Sequence, residues 1–258
     1  DYGGRLSSAL DIKMKEGNMK EYHGIAAIGT LASRFQLEGP LVKNKGSFMV
    51  SGRRTYFDLL FFRFAKDTLI KDSKMYFYDL NMKVNYKLND KNRLFLSGYF
   101  GKDLLSLDKM FGTDWGNSTG TIRWNHLFSD KLFLNSTFIY SNYQYKFDVS
   151  LFGINVNMVS GIQDMNLKED FQYFLNANNN ITFGLNINNH TFNPGKMTTD
   201  YESISDIKIP DKKALESAAY ISNDQKVTDR LSLNYGLRFS NFTMYGPHTS
   251  YSFSGGIN

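Results

Sequence analysis

Apolar and polar residues alternate with a period of two along most of this chain. The segment 231–240 reads LSLNYGLRFS, and the same alternation recurs in 80–88 and 181–188. Successive side chains of a β-strand point to opposite faces, so each segment predicts a strand with one apolar and one polar face. A soluble β-sandwich and a membrane barrel both show this period, so the alternation alone does not distinguish them.

Short polar turns separate the predicted strands and recur every 40 to 50 residues. Their central residues are Asn44, Asp90, Asp130, Asn179 and Asp229. Each interval holds two strands and one longer loop, which is typical of outer-membrane barrels with tight turns at the periplasmic rim. The predicted strands are 21–41, 46–56, 75–89, 92–102, 118–129, 131–147, 160–177, 180–193, 213–228 and 230–245, with a further strand from about Thr249. The predicted external loops are 57–74, 103–117, 148–159 and 194–212.

Strand length and composition favour the membrane barrel. The segments 131–147 and 230–245 exceed the roughly 5 or 6 residues usual for globular strands, and a tilted strand needs about 9 to 11 residues to cross the hydrocarbon. The 258 residues include 22 Phe and 16 Tyr but only 4 Pro and no Cys, which fits strands with interfacial aromatic girdles. The predicted fold class is therefore all-β, a transmembrane antiparallel β-barrel. A formal charge of +5 is scattered over the chain and argues against a nucleic-acid partner.

The two ends predict a piece of a longer chain. Residues 1–5 (DYGGR) show neither the basic nor the apolar region of a secretory signal. Residues 254–258 (SGGIN) stop inside the last predicted strand. An open sheet edge in hydrocarbon leaves backbone groups unsatisfied. We therefore expect the first and last barrel strands, near 24–37 and 249–258, to pair with protein outside these residues.

Several segments resemble TonB-dependent outer-membrane transporters, particularly those of the Bacteroidetes. Residues 2–15 (YGGRLSSALDIKMK) resemble the end of the plug domain, where a Tyr-Gly segment leads into a final plug strand that 10–15 matches closely. Further resemblance comes from 37–40 (LEGP), 51–56 (SGRRTY) and 229–238 (DRLSLNYGLR). Together these motifs, in this order on the hairpin repeat, extend the resemblance over essentially the whole chain.

The resemblance implies a division of the chain and a function. Residues 1–18 would be the end of the plug, and 19–258 the N-terminal part of a barrel whose family has 22 strands, with about ten present here. It implies TonB-driven uptake of a bulky or scarce ligand (a glycan, peptide or chelated metal) across the bacterial outer membrane. The implied partners are membrane lipid, lipopolysaccharide and, through the absent N-terminal part, the TonB complex. No enzyme activity and no cofactor are implied. A structural or interaction barrel within a larger outer-membrane assembly is the alternative function.

Basic residues on the predicted lumen face are candidate ligand-binding residues. Arg53, Arg123 and Arg238 belong to this set, which Arg34, Lys83 and Lys87 complete. Such charges attract an anionic substrate. Salt bridges to the plug or to acidic lumen residues account for the same charges, and pore charge alone rarely identifies a ligand.

Aromatic residues outside the predicted strands supply the other candidates. Phe111 and Trp115 flank a GTD turn in the predicted external loop. Exposed aromatic rings there would contact a sugar or a partner surface, and packing of the loop on the barrel rim is the alternative. The segment 56–64 (YFDLLFFRF) is too apolar for a solvated loop. It predicts a short helix or strand extension over the barrel mouth, or a docking surface for a lipoprotein lid.

The spacing of histidines and carboxylates predicts no metal site. The histidines at 23, 126, 190 and 248 are far apart, whereas structural zinc sites use closely spaced ligands. His126 is expected in an aromatic girdle of the lipid face, on the periplasmic side. The acidic group Asp164, Glu169 and Asp170 matches no calcium loop. We interpret it as an exposed strand end or a patch that bridges to lipopolysaccharide.

Overall fold

The chain forms one antiparallel sheet. A computed structural model describes residues 14–64, 66–108, 110–151, 153–200, 206–245 and 250–257. The strands are β1 (His23–Ile28), β2 (Ala32–Val42), β3 (Gly46–Thr55), β4 (Lys74–Asn89), β5 (Asn92–Leu107), β6 (Phe111–Leu127), β7 (Leu132–Leu151), β8 (Ile154–Asn176), β9 (Asn179–Thr199), β10 (Ile207–Lys208), β11 (Lys212–Thr228), β12 (Leu231–Tyr245) and β13 (Ser250–Ile257). The two-residue β10 pairs with β9 off the main path, and the other twelve strands follow in chain order. The all-β antiparallel prediction is confirmed.

Two predictions about the strands are wrong. The segment 21–41 is a hairpin, in which a turn closed by the Gly29 N–H and the Ala32 carbonyl (2.9 Å) separates β1 from β2. The path therefore contains twelve strands, one more than the ten predicted strands and the further strand from about Thr249. The loops predicted at 103–117 and 148–159 are mostly strand, because β5 to β8 continue well past the length needed to cross a bilayer.

The five predicted polar turns connect β2–β3, β4–β5, β6–β7, β8–β9 and β11–β12, and so lie at one end of the sheet. Asn44 has a left-handed backbone (φ 61°), which asparagine tolerates. In other turns a side-chain oxygen accepts the N–H two residues on, as Asn89 does from Lys91 (3.0 Å) and Asn176 from Asn178 (3.0 Å). This local chemistry explains why short polar segments suffice at this rim.

Strand register divides the side chains between two faces. We call the side that carries Lys83, Asn85 and Arg93 the polar face, and the side that carries Leu185 and Leu237 the apolar face. Leu185 is 53% and Leu237 61% exposed. Within the described residues the buried hydrophobic side chains are Met49, Phe95, Leu134, Ala214, Ala218 and Tyr220. All of these except Leu134 share the polar face. A soluble sandwich would instead bury its apolar face.

An aromatic row crosses the apolar face near the short turns. The His126 ring lies 5.2 Å from Trp124 and 4.4 Å from Phe128, measured between ring centroids. The row continues through Phe128, Phe171 and Phe183, the last two stacked at 5.0 Å. His126 thus lies in an aromatic row on the apolar face at the short-turn rim, and its place in a membrane girdle stays a prediction.

The opposite rim carries the longer connections. The β3–β4 connection contains a π-helical turn, Asp58–Phe62, and helix α1, Thr68–Lys71, so the apolar segment 56–64 is helical in part. Its side chains stay exposed, with Leu59 at 50%, Phe61 at 51% and Phe64 at 79%. After β9, Asp200 accepts hydrogen bonds from the Asn155 N–H (2.8 Å) and side-chain amide. These bonds hold the pKa of Asp200 below its ordinary value.

The sheet is open between β1 and β13, which are its two edges and do not pair with each other over the described ranges. Pairing of these edges with protein outside the chain stays a prediction. No helix among the described residues is long and apolar enough to cross a membrane.

Candidate functional site

The segment that precedes β1 lies on the polar face. The Met14 carbonyl accepts a hydrogen bond from Lys83 Nζ (3.0 Å). Glu16 pairs with Lys83 (3.7 Å) and with Arg93 (3.4 Å). Lys15 reaches the buried Glu38 at 2.9 Å. Three consecutive residues are thus fixed to β2, β4 and β5, whereas the predicted plug strand 10–15 lies mostly outside the described residues.

Three cations surround one buried ring beside this segment. Arg123 Cζ lies 4.3 Å from the Phe95 centroid, Arg93 Cζ 5.1 Å and Lys83 Nζ 5.8 Å. Phe95 is only 6% exposed. Desolvated cation–π contacts of this kind stabilise by about 2 kcal/mol or more. Arg123 therefore helps to build the wall against which Glu16 docks.

Gly17 allows the segment to lie directly on the sheet. A Cβ built at Gly17 would stand 2.0 Å from the Phe48 carbonyl oxygen, closer than any side chain permits. Two residues later the Met19 carbonyl accepts the Asn44 N–H (3.1 Å). Backbone contact of this kind requires glycine at position 17.

Arg53 belongs to a separate cluster nearer the external rim. Its guanidinium donates to Asp79 on β4, while its direct cross-strand neighbour on β2 is Arg34. These residues line a cavity of about 260 Å³ together with Gln36 and Ser51. Like charges directly opposite each other destabilise a strand pair. Two guanidiniums here face one carboxylate, so the cavity carries a net positive charge.

The predicted place of Phe111 and Trp115 in an external loop is wrong. Phe111 opens β6 and Trp115 lies four residues further, because β5 and β6, of 16 and 17 residues, exceed the length needed to cross a bilayer. Register places both on the polar face, with Asp103 and Tyr145 opposite Trp115. Phe111 packs edge-on against Phe147 at 5.4 Å. Both rings line the outer part of the polar face.

Arg238 joins a second network, formed between β8, β11 and β12. Its Cζ lies 5.6 Å from the ring centroid of Tyr220, which is buried. The Tyr220 hydroxyl donates to Asp170, and Lys168 Nζ lies 2.9 Å from the same carboxylate. The network holds two cations, Arg238 and Lys168, and one carboxylate, Asp170.

The acidic group predicted as one patch is divided between the faces. Asp170 and Asp164 lie on the polar face, but Glu169 points to the apolar face and accepts a hydrogen bond from Ser136 Oγ (2.6 Å). Asp164 contacts His190 Nδ1 at 2.7 Å. The interpretation as a single exposed strand end or lipopolysaccharide patch is wrong, because consecutive strand residues alternate in direction.

The five candidate residues share the polar face but do not converge. Arg123 lies in the Phe95 cluster, Arg53 beside Asp79, and Arg238 over Tyr220. Sequence reasoning missed their closest partners, Phe95, Asp79 and Tyr220, because these contacts depend on register between strands. Alternation identified the face correctly, but it cannot identify neighbours across strands.

Comparisons with known proteins agree on the fold. No family model and no curated protein matches this sequence. Among solved structures, the ferric preacinetobactin receptor BauA from Acinetobacter baumannii matches with a TM-score of 0.68 at 10% identity, over 94% of this chain and 45% of that one. The sheet has the fold of part of a transmembrane β-barrel.

Two further receptor barrels are similar to this chain. The ferric yersiniabactin uptake receptor FyuA from Yersinia pestis has a TM-score of 0.62 at 13% identity, over 95% of this chain and 44% of that one. The copper transporter OprC has a TM-score of 0.68 at 10% identity, over 94% and 43%. The chain therefore spans less than half the length of these three proteins.

Proposed function

We propose that this protein is a TonB-dependent outer-membrane transporter, of the type found in Bacteroidetes, and that it takes up a chelated metal. The observation that carries the proposal is the twelve-strand path with short turns at one rim. It matches ferric-siderophore and copper receptors with TM-scores of 0.62 to 0.68. Resemblance of 2–15 to a plug terminus supports the Bacteroidetes type.

We propose that residues 1–18 end a plug and 19–258 begin the barrel. The contacts of Met14, Lys15 and Glu16 with the polar face support this division, since a plug fills the lumen that this face would line. The TonB complex would act through the part of the protein that precedes residue 1.

The ligand in this proposal is an anionic chelate that passes the polar face. Arg53, Arg123 and Arg238 supply positive charge, while Phe111 and Trp115 offer rings near the external rim. The cavity with Arg34 and Arg53 supports an oxyanion contact, because paired guanidiniums bind carboxylates well. A glycan or a peptide ligand would use the rings more than the charges.

We propose two sets of surface partners. The apolar face would contact lipid, and lipopolysaccharide would lie at the external rim above it. The exposed Leu59, Phe61 and Phe64 would contact a surface lipoprotein, because exposed apolar side chains concentrated in one loop are typical of interaction sites.

Uptake by cells carrying the full-length protein tests the function. We expect import of ferric chelates under iron limitation to be lost on deletion of the gene and equally on inactivation of TonB. Arg53→Gln should reduce uptake, whereas Lys226→Gln, which removes an ion pair with Asp229 at a turn, should not. TonB-dependent import of a glycan or peptide would correct the ligand class. If deletion of the gene left the import of ferric chelates, glycans and peptides unchanged, the structural or interaction barrel would be favoured.

A further inference from the structure

We propose that His190 and Glu216 form a binding site for a divalent transition metal on the polar face, and that Asp164 orients His190. The three residues come from β9, β11 and β8, which are adjacent in the sheet. They are separated by 26 residues or more along the sequence, which is why local spacing showed no site. The inference deepens the proposed function, since a metal is part of its cargo.

Burial and hydrogen bonding fix the imidazole in one orientation. His190 is only 7% exposed and stacks on Phe192 at 5.5 Å. Its Nδ1 lies 2.7 Å from Asp164 Oδ1. A carboxylate cannot donate when ionised, so the proton of this bond belongs to Nδ1. In the neutral ring Nε2 then carries the lone pair, as in the carboxylate–histidine–metal arrangement of metalloproteins.

The second carboxylate stands at the distance that a shared metal requires. Glu216 Oε2 is 3.7 Å from His190 Nε2, beyond a good hydrogen bond. Ligands at about 2.0 to 2.2 Å from one metal and at a tetrahedral angle are about 3.4 Å apart. A small movement of the Glu216 side chain would bring Oε2 and Nε2 onto the same ion.

The site is open. Within the part of the chain that the structure describes, no three His, Cys, Asp or Glu side chains are arranged to hold a metal. The protein would therefore supply two ligands, and water or the donor atoms of a chelator would complete the shell. Open coordination suits an ion that is passed on, because closed four-ligand shells belong to permanent structural metals.

A purely structural role is the competing explanation. His190 lies 2.7 Å from Asp164 and 3.7 Å from Glu216, and these contacts could join three strands without any metal. The two explanations differ in what replacement of His190 does: the structural role predicts lower stability with unchanged copper binding, whereas the metal site predicts the loss of one binding equivalent.

Copper binding to the purified full-length protein tests the proposal. Cu²⁺ alone is titrated at pH 7.5 and followed by calorimetry and by electron paramagnetic resonance. We expect His190→Gln to lose one binding equivalent and its nitrogen hyperfine signal. Glu216→Gln should weaken binding at least tenfold. Asp164→Asn, which disturbs only the orientation of the ring, should weaken it by about 10- to 100-fold.

His126→Gln is the matched control, because His126 lies on the apolar face. It should retain the full stoichiometry and affinity. Equal copper binding by wild type and His190→Gln would overturn the proposal. A lower melting temperature of Glu216→Gln with unchanged copper binding would also overturn it, and would assign a structural role. Copper binding at His190 without any metal uptake by cells would support the site while refuting the proposed transport function.

Discussion

In the half of the sheet nearer the short turns, charged groups have different partners on the two faces. On the polar face a charge meets an opposite charge or a ring, as Lys168 and Tyr220 do around Asp170. On the apolar face Glu169 accepts a hydrogen bond from the Ser136 hydroxyl, and its register neighbour on β9 is Leu185. The polar face therefore accommodates charged and polar groups, whereas the apolar face accommodates the Glu169 carboxylate where a neighbouring side chain donates a hydrogen bond to it.

Arginine substitutions should show the largest difference in folding free energy between the two faces. Leu237→Arg is expected to cost about 2 to 4 kcal/mol of folding free energy in lipid vesicles, since the charge enters hydrocarbon near the bilayer midplane. Asn186→Arg, on the polar face, should cost far less. Leu185→Arg should fall between them because Glu169 is directly opposite. Urea titration of the full-length protein measures all three, and equal costs at 237 and 186 would contradict the assignment of faces.

Adjacent carboxylates should respond with opposite signs. Asp170→Leu removes the acceptor of Tyr220 and the partner of Lys168, and should destabilise the fold by about 1 to 3 kcal/mol. Glu169→Leu removes a carboxylate from the lipid side, and should leave stability unchanged or raise it by about 1 kcal/mol. The same urea titration compares them. A similar loss in both variants would mean that the Glu169 side is covered by protein.

The space beside the backbone differs between Gly184 on the polar face and Gly120 on the apolar face. Gly184 lies opposite Tyr220, and a Cβ there would be 2.6 Å from the Tyr220 hydroxyl and 2.2 Å from the Glu169 carbonyl oxygen. Gly184→Ala should therefore cost about 1 to 3 kcal/mol. Gly120 has nothing within 4 Å of the same position, so Gly120→Ala should be neutral or stabilise by about 0.4 to 1 kcal/mol. Thermal unfolding of both variants tests this expectation. An unchanged melting temperature of Gly184→Ala would contradict the close packing of Gly184 against Tyr220.

The smallest effect concerns the external rim, where neither face is in lipid. The folded pKa of Asp200 is below its ordinary value of 3.8, because Asn155 donates two hydrogen bonds to the carboxylate. This contribution is complete above that ordinary value and is lost as pH falls through the folded pKa. The amide resonance of Asn155 should shift at that lower pH. It should stop titrating in Asp200→Asn, and a midpoint above 3.8 would contradict the bond.

Alternation and turn chemistry predicted the faces and one rim. They worked because apolar residues such as Leu233 and Leu237 must avoid water while their neighbours must not meet lipid. The same rule failed for the outer ends of the strands. At the outer ends the alternation persists in 143–149 (YQYKFDV) and 154–158 (INVNM) with its sense reversed, so that apolar residues lie on the polar face and polar residues on the apolar face. The Gly29 turn was missed because its flanking residues continue an apolar pattern.

The contacts of the candidate site could not be predicted from the sequence, for a different reason. Arg53 meets Asp79 and His190 meets Asp164 through register between strands. Register depends on how many residues each turn and bulge consumes, and a shift of one residue would change every partner. The sequence did contain a signal for Phe95, because an aromatic residue at a polar-face position breaks the alternation of β5.

The ties of Met14, Glu16 and Met19 lie ahead of β1, an edge strand held by six residue pairs. Tension applied to the chain before Met14 therefore reaches β4 and β5 first, through Lys83 and Arg93, and β1 only afterwards. The contacts of this segment therefore transfer the tension to β4 and β5 and protect β1 from it. Residues upstream can be pulled and rearranged while the first strand of the barrel stays in its ladder.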